Sequence, residues 1–183
     1  MNKNNIMLVL KRIFNNKNSL FKGALCVRNN FSTDIFHSID DWNNPKLWKN
    51  KFPSEDIKDI YFFADNILSY QYGVLNEDIV MLNPEDSSIE KVASSIDEWF
   101  SIITSDSVTY LYCDILEEWE NKNGRVLLGE RLIPSLPFIL GGDYSLDNFV
   151  KCTEVEAMDY YSQFAKKLHN LQDGSRVSLK FEE

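Results

Sequence analysis

Residues 60–84 read IYFFADNILSYQYGVLNEDIVMLNP, and their pattern decides the fold. Ile60, Tyr61, Phe62 and Phe63 are β-branched or aromatic, the types that suit a pleated, packed surface. Leu68, Tyr70, Tyr72 and Val74 alternate with smaller or polar residues at a period of two, the repeat of a strand. Ile79 to Leu82 forms a third run, bracketed by Asn76 and by Asn83-Pro84. Connections this short let neighbouring strands pair only antiparallel, so the stretch predicts a three-stranded meander.

Downstream, the periodicity changes to that of helices. Ser95-Ile96-Asp97-Glu98 has the form of a capping box, with Ile96, Trp99, Phe100 and Ile103 on one face behind it. Val108, Leu111, Tyr112, Ile115, Leu116 and Trp119 follow helical spacing as a single second helix, which Asn123-Gly124 ends. Gly129 to Gly142, with Pro134 and Pro137, cannot continue a helix and is expected to run extended over the core. Phe149 to Thr153 predicts a short strand. Ala157, Met158, Tyr161, Phe164, Ala165, Leu168 and Leu171 predict a helix with a broad apolar face. Asp173-Gly174 then predicts a turn, and Val177, Leu179 and Phe181 a closing strand.

Upstream, Met7, Leu8, Leu10 and Phe14 suit either one face of a short helix or an edge strand, and Asn15 to Asn18 suits a turn. Asp40 to Pro53 is rich in Trp, Asn and Lys, and predicts a connector that docks through its aromatics. Strands and helices that do not alternate make an α+β class. With 183 residues, the chain suits one domain that buries about two-thirds of its unfolded surface.

Composition narrows the function. Nineteen Lys and Arg against 28 Asp and Glu leave a net charge of −9, which a nucleic-acid backbone would repel. Lys46, Lys49 and Lys51 lie among Trp42, Trp48 and Phe52, a local basic-aromatic cluster, but a solvated edge with its rings turned inward explains it more simply. The acidic balance suits a basic protein partner. Cys26, Cys113 and Cys152 are widely spaced without a CxxC pair, so neither a disulfide framework nor a zinc site is expected. The apolar run from Ile6 to Leu10 is too short for a signal peptide, and Lys11 and Arg12 interrupt it. The protein is therefore expected in the cytoplasm, without direct nucleic-acid or membrane partners.

The search for chemistry turns up no GxGxxG, P-loop, GxSxG, HExxH or EF-hand motif. Gly141-Gly142 suits a tight turn better than a phosphate cradle. His169 falls in the last turn of a helix, where a cation favours the dipole, and His37 has no neighbour that suggests a mechanism. Asp97/Glu98, Glu117/Glu118, Glu154/Glu156 and Glu182/Glu183 are adjacent or nearly so. Helical neighbours one apart diverge, so none is a ready acid/base dyad, although a carboxylate-pair hydrolase is a third reading of the chain. No catalytic residue, metal ligand or cofactor site is expected. What remains is a surface. Asp114, Glu117 and Glu118 occupy or border one exposed helical face, and Asp40 and Asp41 precede an aromatic segment. Trp42, Trp48 and Tyr144 are candidate anchors among these acids, and the competing reading places each ring in the core.

Three blocks, in order, resemble the SUKH superfamily, which includes a yeast cell-wall-synthesis regulator and many bacterial immunity proteins. The first is Tyr61-Phe62-Phe63-Ala64-Asp65 with Gln71-Tyr72-Gly73 and Ile79 to Glu85. The second runs from Val92 to Phe100. The third is Arg131-Leu132-Ile133-Pro134 with Pro137-Phe138-Ile139-Leu140-Gly141-Gly142-Asp143-Tyr144 and Asn148-Phe149. The likeness covers residues 61–181 and leaves 1–60 as an N-terminal portion without a match. Asn66-Ile67 stands where the family commonly has a glycine, which alters the turn. The resemblance implies a mixed, mostly antiparallel sheet flanked by helices and no catalytic residues. It also implies a protein that neutralises a cognate toxin domain, often a nuclease, by masking its active site. An adaptor that binds a host partner is the alternative.

Overall fold

The computed structural model describes residues 3–169 and 171. The expected closing strand from Val177 to Phe181, and the Asp173-Gly174 turn before it, lie outside the described residues. Helix α1 (Lys3–Phe14) is followed by short strands β1 (Ser19–Leu20) and β2 (Leu25–Val27), then one-turn helices α2 (Ile39–Trp42) and α3 (Asp56–Asp59). Strands β3 (Tyr61–Asn66), β4 (Gln71–Leu75), β5 (Asp78–Leu82) and β6 (Ile89–Ala93) come next. They precede helices α4 (Ile96–Ser105), α5 (Ser107–Leu111) and α6 (Cys113–Asn123). Strands β7 (Glu130–Pro134) and β8 (Phe149–Thr153) lead into helix α7 (Glu154–His169).

The fold is α+β. Strands β1 to β6 form one antiparallel sheet in sequence order, and β7 pairs with β8 in a second, also antiparallel. Every pairing among the described residues is antiparallel, so the mixed element implied by the resemblance is not found in them. The meander of β3, β4 and β5 stands where the alternation places it. Leu68, however, belongs to the turn. The Asn66 side chain accepts the amides of Leu68 and Tyr70 at 3.0 Å each, and this Asx geometry holds the chain out of the ladder.

Both faces of the large sheet are covered. Phe63, Tyr72 and Ile79 pack with Ile6, Leu10 and Phe14 of α1, Trp99 of α4 and Leu116 of α6. Phe62, Val80 and Leu82 face the other way, against Trp42, Trp48, Ile133 and the α7 residues Ala157, Met158 and Tyr161. Two-sided burial explains why β3 reads as a continuous apolar run. The Ser95 hydroxyl accepts the Glu98 amide at 3.1 Å, but the Glu98 carboxylate reaches the amide of Ser94 rather than that of Ser95, closing the box one residue early.

Between the two sheets lies a buried cluster of four charges. Arg28, just past β2, and Arg131 of β7 share Asp65 of β3 and Glu154, the first residue of α7. All four are at most 2% exposed. The His37 amide and ring also engage Glu154, at 2.8 and 2.9 Å, and the Arg28 guanidinium lies 3.7 Å from the centre of the Trp42 ring. Burial by itself would raise the Glu154 carboxyl. Arg28, the His37 hydrogen bond and Arg131 outweigh it and bring the group down to about 2. Because the folded value lies below the ordinary 4.5, the stability Glu154 contributes is full above pH 4.5 and is lost as the pH falls toward 2. Glu154→Gln is expected to cost about 3–5 kcal/mol near neutral pH, since it leaves two buried guanidinium groups short of a charge. Urea unfolding at pH 7 and pH 3 should show that cost shrinking in acid.

Candidate partner-binding surface

Two of the candidate anchors are core residues. Trp42 and Trp48 are both 0% exposed. The Trp42 indole N–H donates to Gln71 at 2.9 Å and its ring carries Arg28, while the Trp48 N–H donates to the Trp42 carbonyl. A partner could reach neither ring without dismantling the charge cluster. Asp40 and Asp41 are exposed on α2 but engaged locally: Asp40 by Lys3 and Tyr61, Asp41 by the hydroxyls of Ser32 and Ser38. Those two hydroxyls hold the Asp41 carboxyl below its usual range.

Tyr144 is placed differently. It is 50% exposed, and its ring stacks on Phe138 at 4.1 Å and on Tyr112 at 5.9 Å, each pair within 15° of parallel. The Tyr70 ring lies 6.0 Å from that of Tyr112, tilted by 30°. Ile139 and Val108, 48% and 52% exposed, belong to the same segments and leave apolar surface in solvent. Burial, then the neighbouring Tyr144 phenol, pushes the Tyr112 hydroxyl up to about 12, so this phenol stays neutral at ordinary pH.

Two local devices hold this aromatic ledge. The single helix expected over residues 108–119 is broken at Tyr112, whose φ of 56° and ψ of 42° are left-handed. Such a conformation costs a non-glycine residue about 1–2 kcal/mol. Packing between Tyr70 and Tyr144 offsets that cost, and the ring joins the stack instead of continuing the helix face. On the other side, Glu85 follows the Asn83-Pro84 turn and is 3% exposed. Its carboxylate accepts the amides of Phe138 and Ile139 at 3.0 and 2.9 Å. Burial raises the Glu85 carboxyl, and these two amides pull against that shift. Gly142 completes the loop, because a Cβ there would stand 1.9 Å from the Leu136 carbonyl oxygen.

Beside the ledge, α6 starts directly after Tyr112 and presents Asp114, Glu117 and Glu118 to solvent. Their i, i+3 and i+4 spacing puts three like charges on one face, an arrangement that costs helix stability. Lys22 approaches Glu117 at 3.3 Å. Tyr144 thus stacks on the residue that precedes α6, the helix that exposes Asp114, Glu117 and Glu118, whereas Asp40 and Asp41 lie on α2. Phe138, Ile139, Tyr112 and Glu85 are additions that composition and spacing did not single out.

Among the described residues, no group of three or more His, Cys, Asp or Glu side chains is placed to hold a metal ion. Likewise, no helix among them is long and apolar enough to cross a membrane. The three cysteines are free thiols, Cys26 buried and the other two partly so.

The chain is similar in fold to Atu4351 from Agrobacterium tumefaciens. That crystal structure superposes with a TM-score of 0.52 at 12% sequence identity, over 78% of this chain and 67% of that one. At such identity the likeness is one of fold. No family model matches the chain, and no curated protein matches it.

Glu85→Ala removes the acceptor for two part-buried amides. It should cost about 1–3 kcal/mol for each amide left unpaired. Hydrogen exchange at Phe138 and Ile139 should quicken well beyond the rest of the chain. Uniform exchange across the protein would show that the carboxylate does not hold the ledge.

Proposed function

We propose that this protein is a binding module of the SUKH immunity type, which holds a basic toxin domain against the Tyr144 ledge and the acidic face of α6. The observation that carries the reading is the half-exposed Tyr144 ring, stacked on Phe138 and Tyr112 above a loop pinned by Glu85. Rigid aromatic groups of this kind are the usual centres of binding energy, because they bury much apolar area at little cost in side-chain entropy. Asp114, Glu117 and Glu118 supply the complementary charge around such a centre. With a net charge of −9, the whole surface draws a basic partner in. A toxin that is a nuclease carries a positively charged cleft for its substrate, and an acidic surface laid over that cleft masks it. In this reading the protein acts in the cytoplasm of the cell that makes it, where the free thiols Cys26, Cys113 and Cys152 stay reduced.

The reading predicts a basic toxin domain encoded beside this gene, and binding to it is the test. Tyr144→Ala is expected to weaken the complex about 10- to 100-fold, chiefly through faster dissociation. Replacing Asp114, Glu117 and Glu118 by Lys should slow association by about tenfold and remove most of its salt dependence. Co-expression should protect cells from that toxin with the natural protein and fail when Tyr144→Ala is combined with the three lysine replacements. Persistent toxicity despite soluble natural protein would overturn the proposal.

A further inference from the structure

Between the β1–β2 turn and the loop that leads into β7 lies a small concavity of about 210 Å³. Its lining runs against the charge of the protein as a whole. Lys22, Arg125 and Arg131 all face it, together with the Ser19 hydroxyl and Cys26, and none of its lining residues is acidic. In a chain of net charge −9, three cationic side chains line one cavity; Arg131 is balanced by Asp65 and Glu154, Lys22 is only weakly paired, and Arg125 has no side-chain partner among the described residues.

The acids nearby are already engaged. Asp65 and Glu154, behind Arg131, are balanced by Arg28 and Arg131 themselves. Glu130 pairs with Lys151 at 3.0 Å. Glu117 reaches Lys22 only at 3.3 Å, between side chains 61% and 75% exposed, a pair of the weak, solvent-screened kind. Burial pushes the Cys26 thiol up to about 12, so the sulfur in the wall is neutral.

Arg131 is the fixed part of the cavity. Its Nε and Nη2 donate to Asp65, Nη2 also reaches Glu154, and Nη1 donates to the Glu130 carbonyl. A guanidinium carries a second hydrogen on Nη1, and here that hydrogen has no acceptor among the described residues. Arg125 is exposed, and its guanidinium has no partner among them either. The cavity is smaller than the roughly 300–1,000 Å³ of drug-sized sites. It suits a compact ion or one phosphorylated end of a small molecule.

We propose that this concavity is a binding site for a small oxyanion of the phosphate class, with Arg131 as its floor and Lys22 and Arg125 as its arms. The bound anion ties the loop before β7 to the β1–β2 turn. The site is independent of the Tyr144 ledge and of the function proposed for it.

Titration calorimetry and phosphorus NMR of the full chain with inorganic phosphate, at constant ionic strength, test the proposal. Direct binding is measured because phosphate also stabilises proteins by exclusion from their surface. One saturable site with a Kd of about 1 mM or tighter is expected. Arg125→Glu should weaken it at least about tenfold, and Lys22→Gln about three- to tenfold. Both residues are exposed, and unchanged unfolding midpoints without phosphate will show that the fold is kept. A parallel titration with glycerol phosphate separates the sources of the anion. Tighter binding of the ester supports a phosphorylated ligand, and tighter binding of the free ion supports phosphate itself. Failure of both probes to saturate, or the same Kd in Arg125→Glu, would overturn the site.

Discussion

Arg28 and Arg131 sharing Asp65 and Glu154 is the interaction on which the rest of the structure depends. The four residues come from the end of β2, from β3, from β7 and from the first turn of α7. Each charge gives up its hydration, and the complete set offsets most of that loss, with Arg28 Nε left without a hydrogen bond among the described residues. A half-formed cluster is therefore worse than none. This requirement fixes how the β7–β8 hairpin and α7 sit on the six-stranded sheet. Trp42 and His37 extend the same constraint to the connector, the first through its face and the second through two contacts to Glu154.

The ledge follows from that arrangement. Strand β7, held by Arg131, continues into the loop whose amides meet Glu85 in the turn between β5 and β6. The β7 stretch is thus attached to the large sheet at two places, once through Arg131 to Asp65 of β3 and once through the backbone of Phe138 and Ile139 to Glu85 after β5. Two attachments leave the intervening loop little freedom, and Tyr144 is presented in one position. Preorganisation of this kind lowers the entropy lost on binding, so a modest apolar surface can carry substantial affinity. The left-handed Tyr112 fits this account, since backbone strain persists where the surroundings over-determine it. In the proposed function the acids on α6 would add attraction at longer range without having to be buried.

Much of the fold was legible because it rests on local periodicity. The alternation in residues 70–82 reflects the sheet directly, and the apolar stripes of α4 and α7 reflect packing against its two faces. The failures have nonlocal causes. Tyr112 has neither a glycine nor a proline beside it, and the stack that breaks the helix there involves Tyr144, far along the chain. Glu154 looked like a solvated acid beside Glu156, because its partners Arg28 and His37 lie more than a hundred residues away in sequence. Trp42 and Trp48 sit among lysines and asparagines, a setting that suits a surface, yet Lys49 among them is itself only 2% exposed and donates to the Ile60 carbonyl and to Asn43. Within the candidate surface, the acids of α6 could be read from helical spacing. The role of Glu85 could not, because a single carboxylate after a turn gives no sign of which amides it will meet.

Hydrogen exchange of the protein, alone and mixed with the basic toxin domain that the proposed function predicts, tests the central claim most directly. The account predicts new protection concentrated in Val108–Glu118 and Phe138–Tyr144, with the Arg28, Asp65 and Arg131 segments equally protected in both states. Protection that falls instead on α1 and α2, or a charge cluster that opens when the partner binds, would contradict it.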